Sequence, residues 1–245
     1  MTIAFQTKNL SKHFDGVKAV DGLSVDIEKG KITGIVGPNG SGKTTLINML
    51  SGMIGIDDGM VVLNDALKLS KIKSYDIFAY GITRTFQDVR LFNQMTVLDN
   101  MLVVLTERNV FGSLFEKHNK YHLSKARDAL EKVNLWEKRN ELAVNLSYGQ
   151  RKLLEIARAI STRAEIYLFD EPFAGLFPEI IKTVSEIIKE LKKEGKTIIL
   201  IEHNMDLIRE LCDNVIVMDS GKLLAQGKPE EVLKKIEVVE AYFGE

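Results

Sequence analysis

Residues 37–44 read Gly37-Pro38-Asn39-Gly40-Ser41-Gly42-Lys43-Thr44, followed by Thr45. They match the pattern G-x-x-x-x-G-K-[ST]. At ordinary residue frequencies, a chance match in a chain of 245 residues is on the order of one per cent. Glycines let consecutive backbone N–H groups turn toward phosphate oxygens, and the amino terminus of a following helix adds partial positive charge. The context agrees. Lys31–Val36 reads as a short apolar strand running into the loop, and Lys43–Met53 as a helix ending near Gly52 or Gly55. Lys43 is placed to reach β- and γ-phosphates, and Thr44 to ligate Mg²⁺. The bland alternative is a glycine-rich strand–helix turn with no ligand.

Composition narrows the setting. There are 33 basic and 34 acidic residues, for a net charge of -1. A chain this neutral has no bulk attraction to nucleic acid or anionic membrane. Hydrophobic residues make up 45% and charged residues 27%, which rules out disorder and low complexity. The lone cysteine, Cys212, excludes an internal disulfide and reads as a small packing residue. No run approaches the roughly 18 apolar residues of a membrane helix. The amino terminus has no basic segment followed by an apolar one, so no signal peptide is expected. The composition suits a soluble intracellular protein.

Along the chain, Leu23, Val25 and Ile27 alternate with Ser24, Asp26 and Glu28, the period of a half-buried strand. Glu28–Gly30 and Asp57–Gly59 read as turns, and Met60–Leu63 as a strand. The middle is helical in character. Thr96–Thr106 reads as one helix and Leu123–Val133 as another, with Leu123, Ala126, Leu130 and Val133 on one face and Ser124 as its cap. Beyond it, helices Ser147–Ile160, Pro178–Glu194 and Pro229–Tyr242 alternate with strands Glu165–Phe169, Thr197–Ile201 and Asn214–Met218. That alternation predicts an α/β fold with a largely parallel sheet. The lysines at 189, 192, 193 and 196 read as a solvated helix face.

Two apolar strands end in polar pairs. Ile166–Phe169 runs into Asp170-Glu171, and Thr197–Ile201 into Glu202-His203. Beside a phosphate loop, Asp170 suits a role in holding Mg²⁺ through water. Glu171 points elsewhere and can orient or deprotonate an attacking water. His203 is a candidate to contact a γ-phosphate from the sheet edge.

Leu146-Ser147-Tyr148-Gly149-Gln150 opens a helix just upstream of the acid-ending strand. In that position it resembles the signature sequence of ATP-binding cassette (ABC) proteins, and the resemblance covers essentially the whole chain. It implies a phosphate-loop ABC cassette with a mostly parallel central sheet, an antiparallel β portion toward the amino terminus and an inserted α-helical subdomain. The core ATP-binding subdomain would comprise 1–90 and 163–245, and the helical one 91–162. By the same resemblance, Gln87 touches Mg²⁺ and reports to the membrane partner, and Phe14 stacks on adenine. Ser147, Gly149 and Gln150 contact the γ-phosphate of ATP held by a second ABC subunit, as a homo- or heterodimer. Gly81–Phe92, the Tyr148 variant and the ending Val239–Glu245 are similar to LivG-type subunits of branched-chain amino-acid importers. Relatives that import urea or export lipid are the alternative, with a soluble non-transport ABC protein a more distant one. The implied partners are transmembrane permease subunits and, indirectly, a substrate-binding protein. The implied location is peripheral, on the cytoplasmic face of the membrane. Leu91, Phe92 and Trp136 read either as core or as a groove for a permease helix.

Two positions depart from the family pattern. Tyr148 replaces a glycine of the signature, its side chain facing either solvent or nucleotide. Phe177 stands where the family often has aspartate, which argues against a loop carboxylate there and leaves Glu171 as the expected base.

Overall fold

The computed structural model describes residues 2–105, 120–162 and 164–243. The chain divides into two compact units. One comprises Met1–Arg84, Ala164–Glu171 and Ile188–Glu245; the other comprises Thr85–Arg163 and Pro172–Ile187.

The first unit holds two sheets. Strands β1 (Ile3–Phe14) and β2 (Val17–Leu23) form a hairpin through Asp15-Gly16. Both turn residues have positive φ, 43° and 88°, so the turn matches the twist of the strands it joins. β1 also pairs antiparallel with β3 (Asp26–Glu28) and β5 (Asp58–Leu63), and β5 with β6 (Leu67–Leu69). The second sheet contains β4 (Ile32–Val36), β7 (Ile82–Arg84), β8 (Ile166–Asp170), β9 (Thr197–Ile201), β10 (Asn214–Asp219) and β11 (Lys222–Gly227). Their order is β11-β10-β4-β9-β8-β7, parallel from β10 to β7, with β11 antiparallel. β4, β8 and β9 are buried along their whole length, as expected for apolar runs inside a parallel sheet. Helix α1 (Lys43–Leu50) packs Leu46, Ile47, Met49 and Leu50 into a core shared with Phe5, Ile35, Leu63, Ile199 and Ile216.

The second unit is helical. It contains α2 (Val97–Leu105), α3 (Lys120–Lys132), α4 (Tyr148–Ile160) and the start of α5 (Pro178–Lys193). The remaining helices, α6 (Met205–Leu211), α7 (Pro229–Val232) and α8 (Ile236–Phe243), belong to the first unit. Among the described residues, no helix is long and apolar enough to cross a membrane.

Several local expectations need correction. The alternation over residues 23–28 does govern burial, but β2 and β3 are separate strands. Between them the Thr7 hydroxyl accepts from the Val25 N–H at 3.0 Å. Asp58-Gly59 is not a turn but the start of β5. Gly59 (φ 84°) forms an irregularity facing Asn9 (φ 48°), so close that a Cβ would stand 2.4 Å from the Lys8 and Asn9 carbonyls. Ser124 is no cap, because α3 begins at Lys120, and Leu123 is exposed while Ala126, Leu130 and Val133 are buried. The expected helix over 229–242 is two helices; the Lys235 carbonyl accepts from Val238 and Val239 and starts a new turn. Thr106, at the end of one expected helix, and Gly244-Glu245 lie outside the described residues. Sequence reading missed α6, whose first turn is capped by Asn204 through the N–H groups of Asp206 and Leu207.

The lysine face carries ion pairs to other elements: Lys189 with Glu210, Lys192 with Asp213 and Lys196 with Glu165. Such partly exposed pairs contribute about 1 kcal/mol or less each. Cys212 sits against the close approach at Gly34, where a Cβ would lie 3.0 Å from its Sγ. Burial, reinforced by the Asp213 charge, pushes its thiol up to about 12. The thiol therefore stays protonated in the folded chain across the physiological range. Maleimide labelling at pH 8 should leave Cys212 unmodified in the native protein and modify it fully in denaturing urea.

Candidate nucleotide site

The site grows from three adjacent strands. β4, β9 and β8 are parallel and in register, Ile35 beside Ile201 and Ile201 beside Asp170, so they end on one edge. β4 delivers the glycine-rich loop, β9 delivers Glu202-His203 and β8 delivers Asp170-Glu171. Because β9 lies between, Asp170 stands two strand spacings from β4, roughly 10 Å across the edge. Ligands of open α/β sheets occupy this carboxyl end of the strands.

The loop is shaped by crowding. A Cβ on Gly37 would lie 2.1 Å from the Met218 carbonyl, and one on Gly42 2.2 Å from the Ala19 carbonyl. Both residues also have positive φ, 152° and 98°. Gly40 (φ 81°) faces open space instead. The Ser41 carbonyl accepts from Gly221 N–H at 3.1 Å, which ties the loop to the β10–β11 turn. Lys43 Nζ donates to the Gly37 and Pro38 carbonyls at 2.9 and 3.0 Å and lies 3.4 Å from Ser41 Oγ. Burial lowers the Lys43 pKa, while the Glu171 and Asp170 charges oppose that shift. Asn39 and Thr44 are exposed, and Pro38 and Thr45 half-buried. Thr44 stands in the first turn of α1.

At the end of β8, Asp170 Oδ2 accepts from Arg84 Nη2 at 2.8 Å, and Oδ1 is buried with no hydrogen-bond partner among the described residues. Glu171 adopts the left-handed conformation (φ 48°), and its N–H donates to the Ile201 carbonyl. That kink turns its side chain toward β9, where Oε1 meets His203 Nε2 at 3.0 Å. The His203 N–H is in turn fixed by the buried Glu202 carboxylate at 2.9 Å. Among the described residues, no group of three or more His, Cys, Asp or Glu side chains could form a metal cage. The donors at hand are a hydroxyl and a carboxylate, which suits a hard cation that also takes phosphate oxygens. Phe14, 45% exposed at the hairpin end, carries Lys12 Nζ 5.3 Å from its ring centroid.

The other expected site residues lie in the second unit. Gln87 is exposed in a loop pinned to α4 by a row of charged side chains. Lys152 Nζ donates to the Phe86 and Gln87 carbonyls at 2.7 and 3.1 Å. Glu155 Oε1 accepts from the Phe86 and Arg90 N–H groups, and Arg158 donates to the Arg90 carbonyl at 2.6 Å. Burial raises the Glu155 pKa against the pull of Lys152. Arg84 and this row escaped sequence reading; the only signal was charge at spacing three within Lys152–Arg158, on a helix face that proves buried. Ser147 caps α4, accepting from Gln150 N–H at 3.3 Å, while Gln150 Oε1 accepts from Ser147 N–H at 3.0 Å. A Cβ on Gly149 would lie 2.3 Å from the Ile180 side chain. Tyr148 is 41% exposed, with one ring edge against Gly175. Phe177 is 75% exposed and Phe92 exposed as well. Leu91 is half-buried, and Trp136 lies between Arg127 and Arg139, so neither is core.

Residues 20–174 match the family model described as ABC transporter. The chain belongs to the ABC transporter family. It is 40% identical to the probable branched-chain amino acid transport ATP-binding protein LivG of Archaeoglobus fulgidus, over 98% of this chain and 95% of the relative. It is 38% identical to the high-affinity LivG protein of Salmonella typhimurium, over 96% of each. Among solved structures, it superposes at a TM-score of 0.86 on an ATP-binding cassette of an ABC transporter in its ADP conformation. That cassette is 36% identical and covered completely, as is this chain. The expected α/β cassette with a mostly parallel sheet is what the chain forms.

Crowding around the loop separates its glycines by mechanism. Gly37→Ala drives a methyl group into a carbonyl and should cost about 3 kcal/mol or more in urea unfolding. Gly40→Ala meets only backbone strain and should cost about 1–2 kcal/mol.

Proposed function

We propose that this chain is the ATP-hydrolysing subunit of an importer for branched-chain amino acids. The observation that carries the reading is the shared strand edge, where the phosphate loop, Asp170, Glu171 and His203 all emerge. Near-complete alignment with LivG proteins supports the cargo class.

The backbone N–H groups of the loop, among which Pro38 has none, and the amino terminus of α1 bind the nucleotide's phosphates. Lys43 exchanges its carbonyl partners for phosphate oxygens. Phe14 offers its exposed ring to adenine, a stacking contribution of about 1–3 kcal/mol. Asp170, with one buried oxygen lacking a hydrogen-bond partner among the described residues, fits Mg²⁺, and Thr44 offers its hydroxyl as a second donor. When bound, the ion offsets charge on the phosphates. Glu171, aimed by its left-handed backbone and by His203, takes the proton of the attacking water. His203 also faces the γ-phosphate.

Ser147, Gly149 and Gln150 serve the nucleotide of a second cassette, so the working unit is a dimer docked on membrane permeases. A substrate-binding protein hands cargo to those permeases. Segments 1–90 and 163–245 act as the ATP-binding core, and 91–162 as the helical part that meets the permease. The chain sits at the cytoplasmic face of the membrane through these protein partners, since its net charge of -1 offers little hold on lipid.

Glu171→Gln should lower steady-state ATP turnover by roughly 10²–10⁴-fold while nucleotide binding persists and dimers accumulate in size-exclusion chromatography. Turnover near that of the unmodified protein would remove Glu171 as the base.

A further inference from the structure

Among the described residues, Asp170 is gripped from one side only. Its Oδ2 accepts from Arg84 Nη2 at 2.8 Å, and the two side chains are 3% and 4% exposed. Its Oδ1 is equally buried and has no hydrogen-bond partner among the described residues. The second terminal guanidinium nitrogen, Arg84 Nη1, donates to Asn48 Oδ1 at 2.7 Å and Ser51 Oγ at 2.6 Å. Asn48 belongs to α1 and Ser51 caps its end, and α1 is the helix that the phosphate loop opens. One planar group therefore ties the end of β8 to the helix that carries Thr44. A guanidinium holds its donors in one rigid plane, so the nitrogen on Asp170 Oδ2 is fixed relative to the one on Asn48 and Ser51.

We propose that Arg84 is the positioning residue for Asp170: its fork claims Oδ2 and leaves Oδ1 as the oxygen presented to a divalent cation. The inference rests on the reading of Asp170 as the carboxylate that holds Mg²⁺. Arg84 also offsets the Asp170 charge, so the pair by itself has little attraction for a bare cation. The cation then arrives with the nucleotide, whose phosphates supply the remaining charge. An outer partner of this kind typically alters metal affinity by about 10–100-fold when removed.

The test uses the full chain and a fluorescent ATP analogue, titrated at a series of Mg²⁺ concentrations and again in EDTA. Arg84→Lys keeps the charge but loses the fork. It should raise the Mg²⁺ concentration at half-effect by about tenfold or more and leave affinity in EDTA unchanged. Asp170→Asn should raise it comparably, and the double variant should add little, because both act through one interaction. Asn48→Ala, which removes one of the acceptors that hold Arg84 Nη1 at α1 and leaves Ser51 Oγ, should shift it in the same direction by less, with no charge removed. This variant carries the test if thermal melting shows Arg84→Lys to be unfolded. Equal loss of affinity with and without Mg²⁺ would make Arg84 merely structural and overturn the proposal, as would full additivity in the double variant. A shift for Asp170→Asn with none for Arg84→Lys or Asn48→Ala removes Arg84 alone. No shift for Asp170→Asn removes both the proposal and the reading of Asp170 beneath it.

Discussion

The phosphate loop passes closer to its neighbours than a side chain permits, and the rest of the site depends on that approach. The Ala19 carbonyl stands where Gly42 would carry a Cβ, and the Met218 carbonyl where Gly37 would. The loop is therefore moulded by two remote segments, one in each sheet of the first unit. The antiparallel sheet supplies one wall through β2, and its hairpin also presents Phe14. The parallel sheet supplies the other through β10 and the turn after it, where Gly221 N–H engages the Ser41 carbonyl. Glycine is required at positions 37 and 42 by the architecture before any phosphate is considered.

Buried charge follows the same logic. Taking an ion pair out of water often costs as much as the pair returns, so such pairs are weak evidence for stability. What Arg84 and the row on α4 provide is direction. The segment 86–90 lies outside the sheets, and its backbone N–H and C=O groups still need partners. Lys152, Glu155 and Arg158 supply donor, acceptor and donor in sequence along one helix face. An apolar face would leave those groups unsatisfied, at about 1–3 kcal/mol each. The loop bearing Gln87 is thereby held against the same helix that begins at the signature residues.

Legibility in the sequence tracked how local each cause was. The phosphate loop, the apolar strands and the polar pairs at their ends are contiguous, and each could be read in place. The order of strands could not. That β9 separates β4 from β8 is set by pairing between segments far apart in the chain. Arg84 and Asp170 are 86 positions apart, and nothing near Arg84 announces its partner. The Asp58-Gly59 misreading has the same origin, because a glycine needed for close approach to Asn9 looks locally like one needed for a turn. Ser124 failed differently: α3 starts upstream at Lys120, so a good capping residue fell inside the helix.

The capping box at the start of α4 bears on how a second cassette would engage. Ser147 and Gln150 satisfy one another, each side-chain oxygen accepting the other's N–H. The Ser147 oxygen accepts within the cap, so its own hydroxyl proton remains able to turn toward an anion. Gln150 can likewise offer its amide NH₂ group while its oxygen stays in the cap. In the proposed dimer, a phosphate from the partner's nucleotide could then be bound without dismantling the helix terminus. The contact adds to an existing arrangement rather than replacing it. Gly149, where a Cβ would lie 2.3 Å from the Ile180 side chain, lets α5 pack close against the start of α4 beside that cap.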